Sequence, residues 1–146
     1  MVSRMQSVAF SLVPLTDGPI IHVDNDARLE GNVNGPSLIV VPSWVNNPLG
    51  RYHLYFAHHE GRSIRLAYAN DLAGPWTLYE PGALRLEDSS FSTTSPNPAT
   101  LHPQAKHWFE AGIDPLYPHI ASPDVIVDET HREIRMYYHG RLEDGT

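Results

Sequence analysis

Pro36-Ser-Leu-Ile-Val-Val-Pro42, Gly50-Arg-Tyr-His-Leu-Tyr-Phe-Ala-His-His-Glu-Gly-Arg62 and Ser63-Ile-Arg-Leu-Ala-Tyr-Ala-Asn-Asp-Leu-Ala-Gly-Pro-Trp76 make up the stretch that decides the fold. Leu38 to Val41 is a continuous apolar run, the pattern of a strand buried on both faces, and Pro42 ends it because proline cannot donate to a ladder. Tyr52 to Ala57 is aromatic and apolar almost throughout and predicts a second buried strand. Ile64, Leu66 and Tyr68 alternate with Arg65 and predict a third, with the arginine on the opposite face. Asn70 to Pro75 turns the chain, and Trp76-Thr-Leu-Tyr79 opens a fourth, edge-like strand. Four antiparallel strands in succession over about 50 residues match one blade of a β-propeller.

Working outward, the pattern returns. Pro36-Ser-Leu-Ile-Val aligns with Pro123-Asp-Val-Ile-Val, and Leu54-Tyr-Phe with Met136-Tyr-Tyr. Each pair of strands ends in a His-bearing segment followed by Gly. The expected organisation is a single partial domain over 1–146. Residues 1–33 are a lead-in, 34–88 a first blade, 89–118 a long connection and 119–146 the start of a second blade. The lead-in offers two strand-like runs, Val8 to Val13 and Pro19 to Val23. The long connection holds a short helical pattern from Ala105, stopped by Gly112. A toroid needs at least four blades, so the remaining blades are expected from a longer protein or from other chains.

Composition bounds the function. The chain of 146 residues carries 41% hydrophobic and 18% charged residues, with 13 Pro and 10 Gly that favour turns over long helices. A formal charge of −7, with nine His neutral, argues against a nucleic-acid surface. The absence of Cys excludes disulfides and thiolate metal sites. No run reaches the roughly 18 apolar residues of a membrane span. Ser11 and Pro14 interrupt the mild apolar run near the N-terminus, so no signal peptide is expected and the default location is cytoplasmic.

The order of these segments resembles the first blade of the five-bladed propeller glycoside hydrolases, of the family 43 and family 32/68 type. Ile64-Arg-Leu-Ala-Tyr-Ala-Asn-Asp-Leu-Ala-Gly-Pro-Trp76 carries most of the likeness, which covers residues 30–86 and 119–140. The resemblance implies an all-β propeller of which this chain holds about one and a half blades, acting on a glycosidic bond at the tunnel mouth without a cofactor. It also implies three carboxylates on the inner strands of successive blades. One carboxyl is kept protonated for the leaving oxygen and another ionised on the opposite face. Asp124 stands where the second-blade carboxylate is expected, although it follows Pro123 where the family places Asp before Pro. In the first blade Asn34-Gly35 occupies the place of the expected Asp, and neither residue can act as base or nucleophile. Three outcomes stay open: a different catalytic set, substitution by Asp26 or Glu30, or a fragment that binds carbohydrate without cleaving it.

Other candidates have two readings each. Asp124 is a tunnel-facing carboxylate or the cap of a turn. Asn34 and Ser37 line the same mouth, or Asn34-Gly35 is an ordinary turn. His58-His59-Glu60 invites a metal, but adjacent strand residues point to opposite faces, so no metal site is expected. One of the His58-His59 pair, taken as His58, is expected instead to hydrogen-bond a sugar hydroxyl, as are His119 and His139. Trp44 and Trp108, in loops, stack on a sugar ring or cover core edges. Trp76 is read as packing, and Arg62 and Arg65 as solvated strand-face cations. A protein-interaction propeller is disfavoured, since these mouths are rich in His, Trp and Asn and present no apolar patch.

Overall fold

The computed structural model describes residues 11–29, 31–114 and 116–146. Among the described residues, six strands form two antiparallel sheets with one short α-helix. The first sheet runs in chain order β1 (Asn34–Val40), β2 (Tyr52–Ala57), β3 (Ser63–Ala69) and β4 (Thr77–Arg85). The second is a hairpin of β5 (Ile120–Asp128) and β6 (Glu133–Gly140). The helix α1 (Pro103–Glu110) lies in the long connection. Pro103 suits its first turn, the His102 ring accepts from Gln104 N, and Gly112 follows its end with φ +68°. The fold is all-β, as the sequence predicts.

The repeat holds in register. Ser37 opposes Tyr55 and Leu38 opposes Leu54 in the first sheet, while Asp124 opposes Tyr137 and Val125 opposes Met136 in the second. The ladder shifts between Asn34 and Ser37 and again between Ala121 and Asp124, so each sheet carries an irregularity at the same place of the repeat. Gly35 and Ser122 occupy equivalent positions there and both have positive φ, 57° and 51°. The two irregularities meet. A Cβ on Gly35 would lie 3.0 Å from Ser122 Cα, a contact that could be relieved only by a shift of main chain, and the positive φ there also favours glycine. Beside them, Val125 N donates to Ser37 Oγ at 2.8 Å, stitching β1 to β5.

Each face of the first sheet carries a buried apolar cluster. On one, Ala57 and Ile64 pack with Leu86, Ile120 and Ala121, flanked by Tyr55, Leu84, Phe91, Met136 and Tyr138. This cluster joins the two sheets. On the other, Phe56 and Ala67 pack with Leu29, flanked by Ile21, Val33, Leu54, Trp76 and Leu78. The lead-in therefore closes the second face. Trp76 packs there as expected, with its indole N–H on Leu72 O at 3.1 Å.

Several expectations are corrected. Leu38 and Val40 are 47% and 57% exposed while Ile39 is buried, because β1 is the sheet's edge strand and alternates. Pro19 to Val23 is not a strand; the chain there enters two 3-10 turns at Val23–Asn25 and Ala27–Leu29. Residues 8–10 of the other lead-in strand lie outside the described residues, and 11–13 are not strand. Arg65 is not a solvated cation: its guanidinium is half-buried and donates to Leu29 O at 2.9 Å, tying the lead-in to β3. Arg62 is exposed and paired with Glu87 at 2.7 Å. The fourth strand starts at Thr77 and runs on to Arg85, longer than its apolar start announces.

Candidate functional site

Antiparallel pairing brings the start of β1, the end of β2, the start of β5 and the end of β6 to one end of the molecule. The turn after β2 is tight: Gly61 N donates to His58 O at 3.0 Å, and Glu60 N to His58 Nδ1 at 3.1 Å. Gly61 O in turn accepts from Ile120 N at 3.0 Å, so this turn is pinned to the start of β5. At the end of β6, a Cβ on Gly140 would come within 2.7 Å of His119 O and closer still to the Phe91 ring. The glycine lets the segment bearing His119 lie against the end of β6.

These constraints gather three imidazoles from three segments. The ring centroids of His59 and His119 are 6.5 Å apart, and those of His119 and His139 are 5.5 Å apart and nearly perpendicular. They line a pocket of about 500 Å³ with Trp108, Tyr117 and Arg141. His119 Nδ1 lies 2.9 Å from Tyr117 O, and a carbonyl can only accept. Nδ1 therefore carries the proton, which leaves Nε2 of the neutral ring as an acceptor. Desolvation of the His139 ring is the first cause of its lowered pKa, and the nearby His119, His59 and Arg141 lower it further.

Arg141 organises the pocket floor. Its side chain is 10% exposed and donates to Asp114 Oδ2 at 2.7 Å, Gly145 O at 2.6 Å and Tyr117 O at 3.3 Å. Burial raises the Asp114 pKa, but the Leu116 N–H and the Arg141 guanidinium outweigh it and hold the carboxyl below its ordinary value. Glu60, exposed, is the other carboxylate on the pocket wall. Among the described residues, no three His, Asp or Glu side chains are disposed to hold a metal ion.

The sequence candidates divide. His119 and His139 line the pocket, and His58 braces the turn that presents His59. That turn lies beyond the end of β2, so strand alternation does not govern the His58-His59 pair. Asn34 is close by: its amide donates to Asn32 Oδ1 at 3.0 Å, and the same oxygen accepts from His59 N at 3.4 Å. Ser37 is committed to the β1–β5 stitch. Asp124 is exposed on β5 opposite Tyr137 and does not line this pocket. Trp44 is the clear departure. It lies past the far end of β1, where its indole N–H donates to Glu129 Oε2 at 2.8 Å in the β5–β6 turn, so it bridges the two hairpins away from the histidines. Asp26 is bound to Arg28, which lowers its pKa to about 2; Glu30 lies outside the described residues.

His59, Tyr117 and Arg141 are pocket residues that the sequence reading does not select. One signal was present for Arg141. Gly61-Arg62 and Gly140-Arg141 follow the His-bearing ends of both copies, so the arginine repeats with the rest of the unit.

The fold and site together define an all-β protein with an imidazole- and aromatic-lined pocket where the two sheets meet. Among curated proteins, the chain is similar to an uncharacterized protein of Acanthamoeba polyphaga mimivirus, 33% identical over 128 residues that cover 82% of this chain. The chain spans only 30% of that relative's length. No protein-family model and no solved structure matches the chain.

Proposed function

We propose that this chain is a carbohydrate-binding part of a β-propeller protein of the glycoside hydrolase type, with the sugar held in the His59–His119–His139 pocket. The observation that carries this reading is the pocket's lining. The exposed rings of Trp108 and Tyr117 offer flat faces for the apolar side of a pyranose, and imidazoles beside them can donate to or accept from hydroxyls. The volume of about 500 Å³ suits one or two sugar rings. Support for the propeller comes from the register of the repeat and from β1 lying beside β5, the arrangement inner strands of successive blades would take.

Hydrolysis is the second reading, favoured by Asp124, which stays exposed just past the β5 irregularity. Glycoside hydrolysis needs a pair of carboxyls flanking the bond. Asn34-Gly35 stands in the first position, so a complete catalytic set in a longer protein would draw on its other blades.

Calorimetric titration of the chain with a panel of neutral and acidic oligosaccharides tests both readings, with products followed by chromatography. The expected result is saturable binding that Trp108→Ala weakens about tenfold, the loss of roughly 1.4 kcal/mol of contact. No binding by the unsubstituted protein would remove the carbohydrate reading. Cleavage abolished by Asp124→Asn would make hydrolysis the better account.

A further inference from the structure

Three imidazoles share one pocket of a protein whose formal charge is −7. His59 comes from the β2–β3 turn, His119 from the segment before β5 and His139 from β6, so no single local motif accounts for their meeting. The ionisable groups on the same wall are Glu60, Asp114, Tyr117 and Arg141. Asp114 is committed to Arg141, and Glu60 is exposed. Arg141 nevertheless acts on His139 as a positive neighbour, together with the other two histidines. Of the five guanidinium N–H groups, three are engaged with Asp114, Gly145 and Tyr117. Protonation of the cluster would crowd like charges at a centroid spacing of 5.5 Å, and an anion between the rings is the group that relieves it.

Resting on the carbohydrate reading, we propose that the pocket is specific for an acidic sugar, the cluster of His59, His119 and His139 backed by Arg141 receiving the carboxylate of a uronic-acid residue. Trp108 and Tyr117 then face the sugar ring, and the imidazoles, once protonated, donate charge-assisted hydrogen bonds to the carboxylate. A uronate stays ionised well below the histidine range, so the ligand keeps its charge while the pocket gains its own. Binding therefore takes up protons and tightens as pH falls through the histidine range.

The experiment is calorimetric titration of the chain with tetragalacturonate and with neutral galactotetraose, each at about pH 7.5 and about pH 5.5, on either side of the ordinary histidine pKa. The expected result is that tetragalacturonate binds about tenfold more tightly at the lower pH, with heats that depend on buffer ionisation, while galactotetraose changes less than about twofold. The double substitution H119Q/H139Q is expected to abolish the pH dependence. Tetragalacturonate binding that is equal at both pH values would overturn the inference and leave the carbohydrate reading standing. Failure of tetragalacturonate to bind at either pH would overturn the inference, and the carbohydrate reading falls with it only if the whole oligosaccharide panel also fails to bind. Stoichiometric binding of Zn²⁺ that blocks tetragalacturonate would assign the cluster to a metal and overturn the inference.

Discussion

His53 shows what a single residue's surroundings decide. It sits in β2 opposite Ile39 and Tyr68, with its ring edge-on to Tyr55 at 6.3 Å between centroids. Its Nε2 is buried and has no hydrogen-bond partner among the described residues. Burial also pushes its pKa below the ordinary histidine value. A buried polar atom left unpaired costs about 1–3 kcal/mol, more than a net hydrogen bond returns elsewhere. His53→Phe keeps a flat ring against Tyr55 and removes the orphaned nitrogen. The variant is expected to be more stable by about 1 kcal/mol, a rise in melting temperature of about 3 °C for a chain of this size. Thermal unfolding followed by circular dichroism near pH 7.5 is the check; a lower melting temperature would mean that Nε2 has a partner in solution.

At the scale of elements, the paired irregularities of β1 and β5 fix how the sheets meet. Gly35 has φ +57° and faces Ser122 Cα, so Gly35→Ala meets both an unfavourable backbone and a contact with main chain that cannot rotate away. A loss of about 2 kcal/mol is expected. Ser122 holds φ +51° without being glycine, so Ser122→Gly is expected to stabilise by up to about 1 kcal/mol. Urea unfolding of the two variants checks both signs, and a Gly35→Ala protein as stable as the parent would show that the sheets do not need this contact. Much at this scale was readable beforehand. Tyr52–Ala57, the body of β3, the β5–β6 hairpin and the helix stopped before Gly112 all announce themselves through run length and turn residues. Leu38 to Val41 did not, because an unbroken apolar run looks the same on an edge strand as in a sheet interior. Nor did the match between Gly35 and Ser122, since serine carries no signal of positive φ. The pocket was half legible. His119 and His139 stand out by type, while His59, Tyr117 and Arg141 join them only through tertiary contacts, among them the Gly61–Ile120 bond and the close approach at Gly140.

For the whole molecule, the titrating groups predict how stability responds to acid, in two separate windows. His53 and His139 both have folded pKa values below the free value of 6.5. Below that value the unfolded chain gains protons that the folded chain resists, so stability falls as pH drops from about 7 toward 5.5. The carboxylates act lower down. Asp26 is held at about 2 by Arg28; hydrogen bonds lower Glu87 through Arg62, Asp128 through His131 and Asp144 through Thr146, and Asp114 is lowered, against its burial, by Leu116 N–H and Arg141. Their contribution is present above the unfolded carboxyl pKa values, 3.8 for the aspartates and 4.5 for Glu87, and is lost as pH falls toward the folded values. These contacts close turns and tie segments: Arg62–Glu87 spans the first sheet's end, and Arg141–Asp114 joins the long connection to the end of β6. The melting temperature is therefore expected to be flat above about pH 7, to decline through the histidine window and to decline again below about pH 4. The double variant H53F/H139Q should flatten the first decline and leave the second in place. A first decline of unchanged size in that variant would show that other groups carry the upper window.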